Sequence, residues 1–108
     1  MKFKMNGLSW KIIEVNQEQF WEDDNKEFEN GKVFFGRTKP YIQQIWIDKG
    51  LTKEQKRKTL YHELMHCYIM NYFTFNAVDG QDEELWCDIS ANSHDIVHNI
   101  VEKYFNDN

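Results

Sequence analysis

The chain has 108 residues, which is enough for one small domain with a single core, and its aromatic content of 16% is not that of a disordered chain. Its formal net charge of −5 gives no electrostatic reason to expect nucleic acid or an anionic membrane as a partner. No apolar run approaches the roughly 20 residues of a membrane span, and the N-terminal MKFKMNGLSWK lacks the apolar core of a signal peptide, so we expect a cytoplasmic protein with Cys67 and Cys87 as reduced thiols.

The N-terminal half has the pattern of a small β-sheet. The segments KFKM and SWKIIEV predict two strands joined at Asn6-Gly7, a favoured hairpin dipeptide. The acidic segment over residues 16–31 fits either a loop or a poor helix. Two further strands are predicted, KVFFG and YIQQIWID, separated by the turn-like RTKP. We expect YIQQIWID to form a sheet edge on which an extended peptide can be bound by main-chain hydrogen bonds.

The C-terminal half has helical patterns. Thr52 followed by Gln55 predicts a capping box, and the basic run KEQKRK over 53–58 is interpreted as solvated first turns of that helix. Polar residues almost vanish between 60 and 75, which predicts a helix surrounded by protein on every side. The segment DEELWCDISANSHDIVHNIVEKYF predicts another helix, with a break near Asn92-Ser93. The order predicts one α+β domain over residues 1–108.

One motif in the first of these helices carries chemistry. His62 and His66 are four residues apart, so their imidazoles lie on one helix face and can share a zinc ion at about 2.0–2.1 Å. Glu63 is rotated by about 100° from His62 and can reach a water on the metal. The pattern H-E-x-x-H therefore predicts two ligands and a general base. A pair of ordinary core histidines, with Glu63 in a salt bridge, is the structural alternative.

A catalytic zinc needs a third protein ligand and an open position for water. The extended pattern with a third histidine fails, because Ile69 and Tyr72 occupy the positions that need glycine and histidine. The segment DEELWCDISA of the next helix instead offers Glu83, Glu84 and Asp88 as candidates. On spacing alone, this acidic cluster also fits a solvated helix N-terminus.

A second histidine pair, His94 and His98, is also four residues apart, but no glutamate follows the first histidine. His98 lies about four turns beyond Glu84, too far to share one ion with it. We expect this pair to lie on the surface or behind the ligands. Tyr61, Tyr68 and Tyr72 are expected mostly in the core.

The run IWIDKGLTKEQKRKTLYHELMHCYI followed by EELWCDISA resembles the small zincin-like metallopeptidases of phages and mobile elements, the ImmA/IrrE-like family. The resemblance covers roughly residues 42–101. It implies a minimal zincin-like fold, a small antiparallel or mixed sheet packed on the HExxH helix plus a C-terminal helix. It also implies Glu84 as the third zinc ligand, since the glutamate that begins the last pattern has that role in the family. Some members of the family act on transcriptional repressors.

The predicted function is therefore that of a zinc-dependent metallopeptidase: His62, His66 and Glu84 bind Zn²⁺, and Glu63 is the general base. Its expected partner is a protein or peptide substrate, with a transcriptional repressor as one candidate. The alternative is a non-catalytic, zinc-containing binding module that sequesters a repressor or host protein. In that case a Glu63→Gln variant would keep its biological effect, because binding needs no general base.

Overall fold

The computed structural model describes residues 1–24, 33–72 and 83–106, without the side chains of Asp24, Tyr72 and residues 83–86. In chain order the elements are β1 (Lys2–Met5), β2 (Leu8–Val15), α1 (Gln17–Asp24), β3 (Gly36–Lys39), β4 (Gln44–Asp48), α2 (Lys53–Tyr72) and α3 (Glu83–Asn106). The α+β class is confirmed. None of the described helices combines the length and apolar character needed to cross a membrane.

The four strands form one mixed sheet in the order β1-β2-β4-β3. β2 and β4 are parallel, while the outer pairs β1/β2 and β3/β4 are antiparallel. β4 is therefore an inner strand, and the prediction that YIQQIWID forms an edge was wrong. The edge beside β4 is β3, which comprises GRTK, most of the segment predicted as a turn. Hydrogen bonding to β4 extends Arg37–Lys39 into a strand, and the chain turns instead at residues 40–43.

The β1–β2 hairpin turns at Asn6-Gly7, as predicted. Both residues have positive φ, 51° at Asn6 and 80° at Gly7. This is the backbone of a two-residue type I′ turn, whose twist matches that of the strands and which asparagine and glycine adopt with little strain. The hairpin register was therefore readable from the dipeptide.

The pleat of the sheet separates two packing faces. Ile12, Ile45 and Ile47 point to one side and are buried against the helical layer formed by α2 and α3. Trp46 points to the other side, where its ring contacts the fully buried Phe20 of α1 edge to face. The acidic segment over residues 16–31, for which the sequence allowed either a loop or a helix, thus contains helix α1. Asn16 and Gln19 cap it reciprocally, at 2.9 and 3.0 Å.

Helix α2 begins at the predicted capping box. The Thr52 amide donates to Gln55 Oε1 at 2.9 Å, and the Gln55 amide donates to Thr52 Oγ1 at 3.2 Å. Leu60, Leu64 and Cys67 are fully buried. The helix is nevertheless not enclosed on every side, so that prediction was wrong: His62, His66 and Met70 form an exposed face. Composition did not reveal this face, because Met70 is apolar and the histidines interrupt an otherwise apolar run.

Helix α3 runs without interruption from Glu83 to Asn106, and the predicted break near Asn92-Ser93 is absent from it. Ser93 is buried, and its hydroxyl donates to the backbone carbonyl of Ser90 at 3.3 Å. That bond satisfies the hydroxyl within the helix, so a serine in the core does not end it. Ile89, Val97 and Val101 continue the same buried stripe.

Glu14 of β2 joins the sheet to both long helices. Its carboxylate accepts hydrogen bonds from the Tyr104 hydroxyl and, at 2.9 Å, from Lys56 Nζ. Partial burial by itself raises the pKa of Glu14, but these two bonds outweigh it and hold the pKa below its ordinary value of 4.5. The charged form of Glu14 is therefore favoured by folding.

We expect this carboxylate to make stability depend on pH. A lowered pKa stabilises the fold above about 4.5, and that contribution is lost as the pH falls through the lower folded value. Urea unfolding at several pH values should show Glu14→Gln less stable than the parent at pH 7, with the difference shrinking below pH 4.5. Exposed Glu22→Gln on α1 is the control. A difference that stays constant across this range would contradict the assignment.

Candidate metal centre

His62 and His66 lie one turn apart on the exposed face of α2, as their spacing predicts. Their Nε2 atoms are 3.2 Å apart, the ring centroids are 4.8 Å apart, and the ring planes cross at 78°. The two nitrogens therefore converge on a common point outside the helix.

This convergence fits a shared zinc ion. Two ligands at about 2.0–2.1 Å from a tetrahedral zinc are themselves about 3.3–3.4 Å apart, close to the observed 3.2 Å. The same distance suits an N–H···N hydrogen bond when one Nε2 carries a proton. The pair can thus hold either a proton or a metal between its nitrogens, and metal binding requires both to be deprotonated.

The side chain of Glu63 reaches towards the edge strand β3. It is only 7% exposed, and its Oε1 accepts a hydrogen bond from the Thr38 hydroxyl at 2.8 Å. The same hydroxyl lies 3.1 Å from the backbone carbonyl oxygen of Glu63. Since a buried carboxylate needs a partner, Thr38 on β3 both stabilises Glu63 and fixes its direction.

Gly36 allows β3 to approach α2 this closely. A Cβ atom on Gly36 would lie 2.7 Å from Thr59 Cγ2 and 3.1 Å from Glu63 Cγ. Real Cβ atoms essentially never approach other heavy atoms to within 3.0 Å. Any side chain at this position would therefore force the Thr59 side chain, the edge strand or the helix to shift.

Two clefts flank Glu63 between β3 and α2. The first, of about 400 Å³, lies towards the start of α2 and is lined by Val33, Phe34, Phe35, Gly36, Gln55, Lys58, Thr59, His62 and Glu63. The second, of about 390 Å³, lies towards the end of α2 and is lined by Gly36, Arg37, Thr38, Pro40, Glu63, His66 and Met70. Each cleft thus has one of the two histidines in its wall, and Glu63 borders both.

The third ligand was predicted in the first turns of α3. The backbone of Glu83 and Glu84 lies in that helix, while both side chains lie outside the described residues. Asp88 is exposed on the same helix. Among the described side chains, no three histidine, cysteine, aspartate or glutamate residues are grouped to hold a metal. Glu84 therefore remains a predicted ligand.

The second histidine pair joins α3 to α2. His98 Nδ1 is 2.6 Å from the Tyr61 hydroxyl, and the ring of His98 stacks on His94. Tyr61 is partly buried and immediately precedes His62. The contact holds the two helices together next to the candidate site, while His94 itself is exposed.

Both cysteines are free thiols. Burial raises the pKa of the Cys67 thiol to about 12, although a hydrogen bond from Asn71 opposes that shift. A thiol that stays protonated at neutral pH is a small core residue and a poor metal ligand. Cys87 is exposed on α3.

Thr38 was missed in the sequence because RTKP was interpreted as a turn, and Gly36 was missed because it was interpreted as the end of the strand KVFFG, of whose described residues only Gly36 lies in β3. The weak signal for a strand was the spacing of two small residues, Gly36 and Thr38, which places both on one face. Their role depends on α2, which is more than a dozen residues away in sequence.

Searches of this chain against protein-family models, curated proteins and solved structures found no match in any of the three. The family resemblance therefore depends on the motifs alone. The arrangement of His62, Glu63, His66 and Thr38 is therefore the basis for inferring a function.

Proposed function

We propose that this chain is a zinc-dependent metallopeptidase with a minimal zincin-like fold. His62, His66 and Glu84 bind the ion, and Glu63 is the general base. The observation that carries the proposal is the 3.2 Å separation of the two Nε2 atoms, beside a buried glutamate that borders two clefts. Protein or peptide is the substrate, with a transcriptional repressor as a candidate from the family resemblance.

The residues have distinct roles in this proposal. A zinc ion held by His62, His66 and Glu84 would supply Lewis acidity, which would lower the pKa of a water molecule towards about 7 and polarise a peptide carbonyl. Glu63 takes a proton from the attacking water and passes it to the departing amide nitrogen as the C–N bond breaks. Thr38 holds the Glu63 carboxylate in one orientation, so little reorganisation is needed at the moment of transfer.

The position of β3 also supports a peptide substrate. The two clefts lie on either side of Glu63, so a chain that crosses the site can place one side chain in each. The polar backbone between those side chains would then lie near the two histidines. This arrangement suits cleavage within a chain, where residues on both sides of the broken bond contribute to binding.

The proposal is tested by zinc content and peptide digestion of the purified protein. The parent should carry one zinc per chain and cleave unfolded protein substrates, whereas His62→Ala and His66→Ala should lose most of the metal and the activity. Each substitution removes one of the two histidine ligands, so the affinity for zinc should fall.

The matched control is His94→Ala, which removes an exposed histidine of α3 and should keep parent zinc content. Equal zinc in all three variants, or a parent that binds no zinc at neutral pH, would reject the proposal. A parent that binds one zinc but cleaves none of a broad set of denatured proteins would support the binding-module alternative.

A further inference from the structure

The first cleft is lined by a positively charged side chain, that of Lys58, which has no role in the proposed chemistry. Lys58 lines it together with His62, and the two residues are one turn apart on the same face of α2. Lys58 is exposed, and the cleft leads from it to Glu63. A group bound beside Lys58 would therefore lie next to the proposed reaction centre.

Lys56 and Arg57, the residues that precede Lys58 on α2, both form ion pairs. Lys56 forms an ion pair with Glu14 at 2.9 Å, and Arg57 forms one with Glu102 at 2.6 Å. Within the described part of the chain, Lys58 has no such partner. Its charge is therefore free to bind an anion, in a protein whose net charge of −5 otherwise repels one.

The remaining walls of the cleft are mostly apolar. Val33 and Phe35 are 60% and 50% exposed, although they lie beside the candidate site. Among the described residues lining the cleft, Glu63 is the one carboxylate, and Thr38 already holds it. The cleft thus combines apolar walls for methylene groups with one cation, the arrangement that binds a long acidic side chain.

We infer that this cleft binds a glutamate side chain of the peptide substrate, with its carboxylate paired to Lys58 and its methylene groups against Phe35. The inference rests on the proposed function for the identity of the substrate as a peptide. It adds a selectivity for acidic residues close to the bond that is cleaved. A purely apolar side chain is the competing occupant, and the test below separates the two.

The test measures binding rather than turnover. Zinc-loaded Glu63→Gln protein is titrated with blocked pentapeptides, acetyl-Ala-Ala-X-Ala-Ala-amide, in which X is glutamate, glutamine or leucine. Dissociation constants come from amide chemical shifts. Because an exposed ion pair contributes modestly, the glutamate peptide should bind about two- to fivefold more tightly than the glutamine peptide at low salt. The advantage should shrink as salt is added, and the shifts should include residues 33–36.

Lys58→Glu is the decisive variant, since reversal of the charge should make the glutamate peptide bind more weakly than the glutamine peptide. Lys53→Glu changes the same charge in the first turn of α2, outside the cleft, and should keep the preference of the parent. Tightest binding of the leucine peptide, equal binding of all three, no binding, or an unchanged preference in Lys58→Glu would overturn the inference.

These outcomes are separate from those of the proposed function. Peptide binding with the expected preference, but no hydrolysis by the parent protein, would reject the peptidase and leave the acidic-side-chain site intact. Hydrolysis by the parent protein without any preference for glutamate would reject the site and leave the peptidase intact.

Discussion

Replacement of Glu63 by glutamine should lower peptide hydrolysis by about 10²- to 10⁴-fold and leave the zinc content unchanged. General-base catalysis contributes roughly 10² to 10⁴ to rate, and the amide cannot take the proton from water. The fold should tolerate the change, because an amide oxygen can still accept the 2.8 Å hydrogen bond from the Thr38 hydroxyl. Single-turnover hydrolysis and metal analysis on the same preparation measure both effects.

Thr38 supplies the matched controls for that experiment. Thr38→Ser keeps the hydroxyl and should retain most of the activity, while Thr38→Val leaves the buried carboxylate without this donor and should reduce kcat more than it changes KM. A Glu63→Gln protein as active as the parent would exclude Glu63 as the base. If the variant loses hydrolysis yet keeps its biological effect, the protein acts by binding, as in the alternative function.

The second large effect is expected on stability. Gly36→Ala should lower the free energy of unfolding by about 1–3 kcal/mol, the usual cost of overpacking. The new Cβ would lie 2.7 Å from Thr59 Cγ2, and the backbone carbonyl oxygen of Trp46, at 3.1 Å, leaves little room on the other side. Relief of the clash requires the Thr59 side chain to rotate or β3 to move away from α2. A movement of β3 would weaken the Thr38–Glu63 hydrogen bond and lower activity as well.

Gly50→Ala is the control for Gly36→Ala. The nearest atom to a Cβ on Gly50 is Asp48 Oδ1 at 3.5 Å, an ordinary van der Waals contact, so little change in stability is expected. Both variants are compared by urea unfolding followed by circular dichroism. Equal stability of the two variants would mean that the β3–α2 approach is looser than the distances indicate.

Features that depend on local chemistry were predictable from the sequence. Asn6-Gly7 specifies its own turn because both residues adopt positive φ at low cost. Thr52 and Gln55 cap a helix through bonds three residues apart. The approach of His62 and His66 follows from helical periodicity alone. In each case the residues concerned lie within four positions of each other in the sequence.

Features that depend on distant partners were decided by the tertiary structure. Arg37–Lys39 is a strand because β4 pairs with it. Ser93 lies within an unbroken helix, and the core that buries it together with Ile89 and Val97 is formed with distant parts of the chain. The exposure of His62 and His66 could not be predicted from the apolar sequence around them. Which face of α2 is exposed depends on how the helix packs against the sheet and α3.

The sequence by itself thus determined the α+β class and the relative positions of His62, Glu63 and His66 on one helix, because both follow from short-range periodicity. The tertiary structure decided that Thr38 holds Glu63 and that two clefts meet there. Both depend on an edge strand and a helix separated by a dozen or more residues, and no local pattern encodes such a contact.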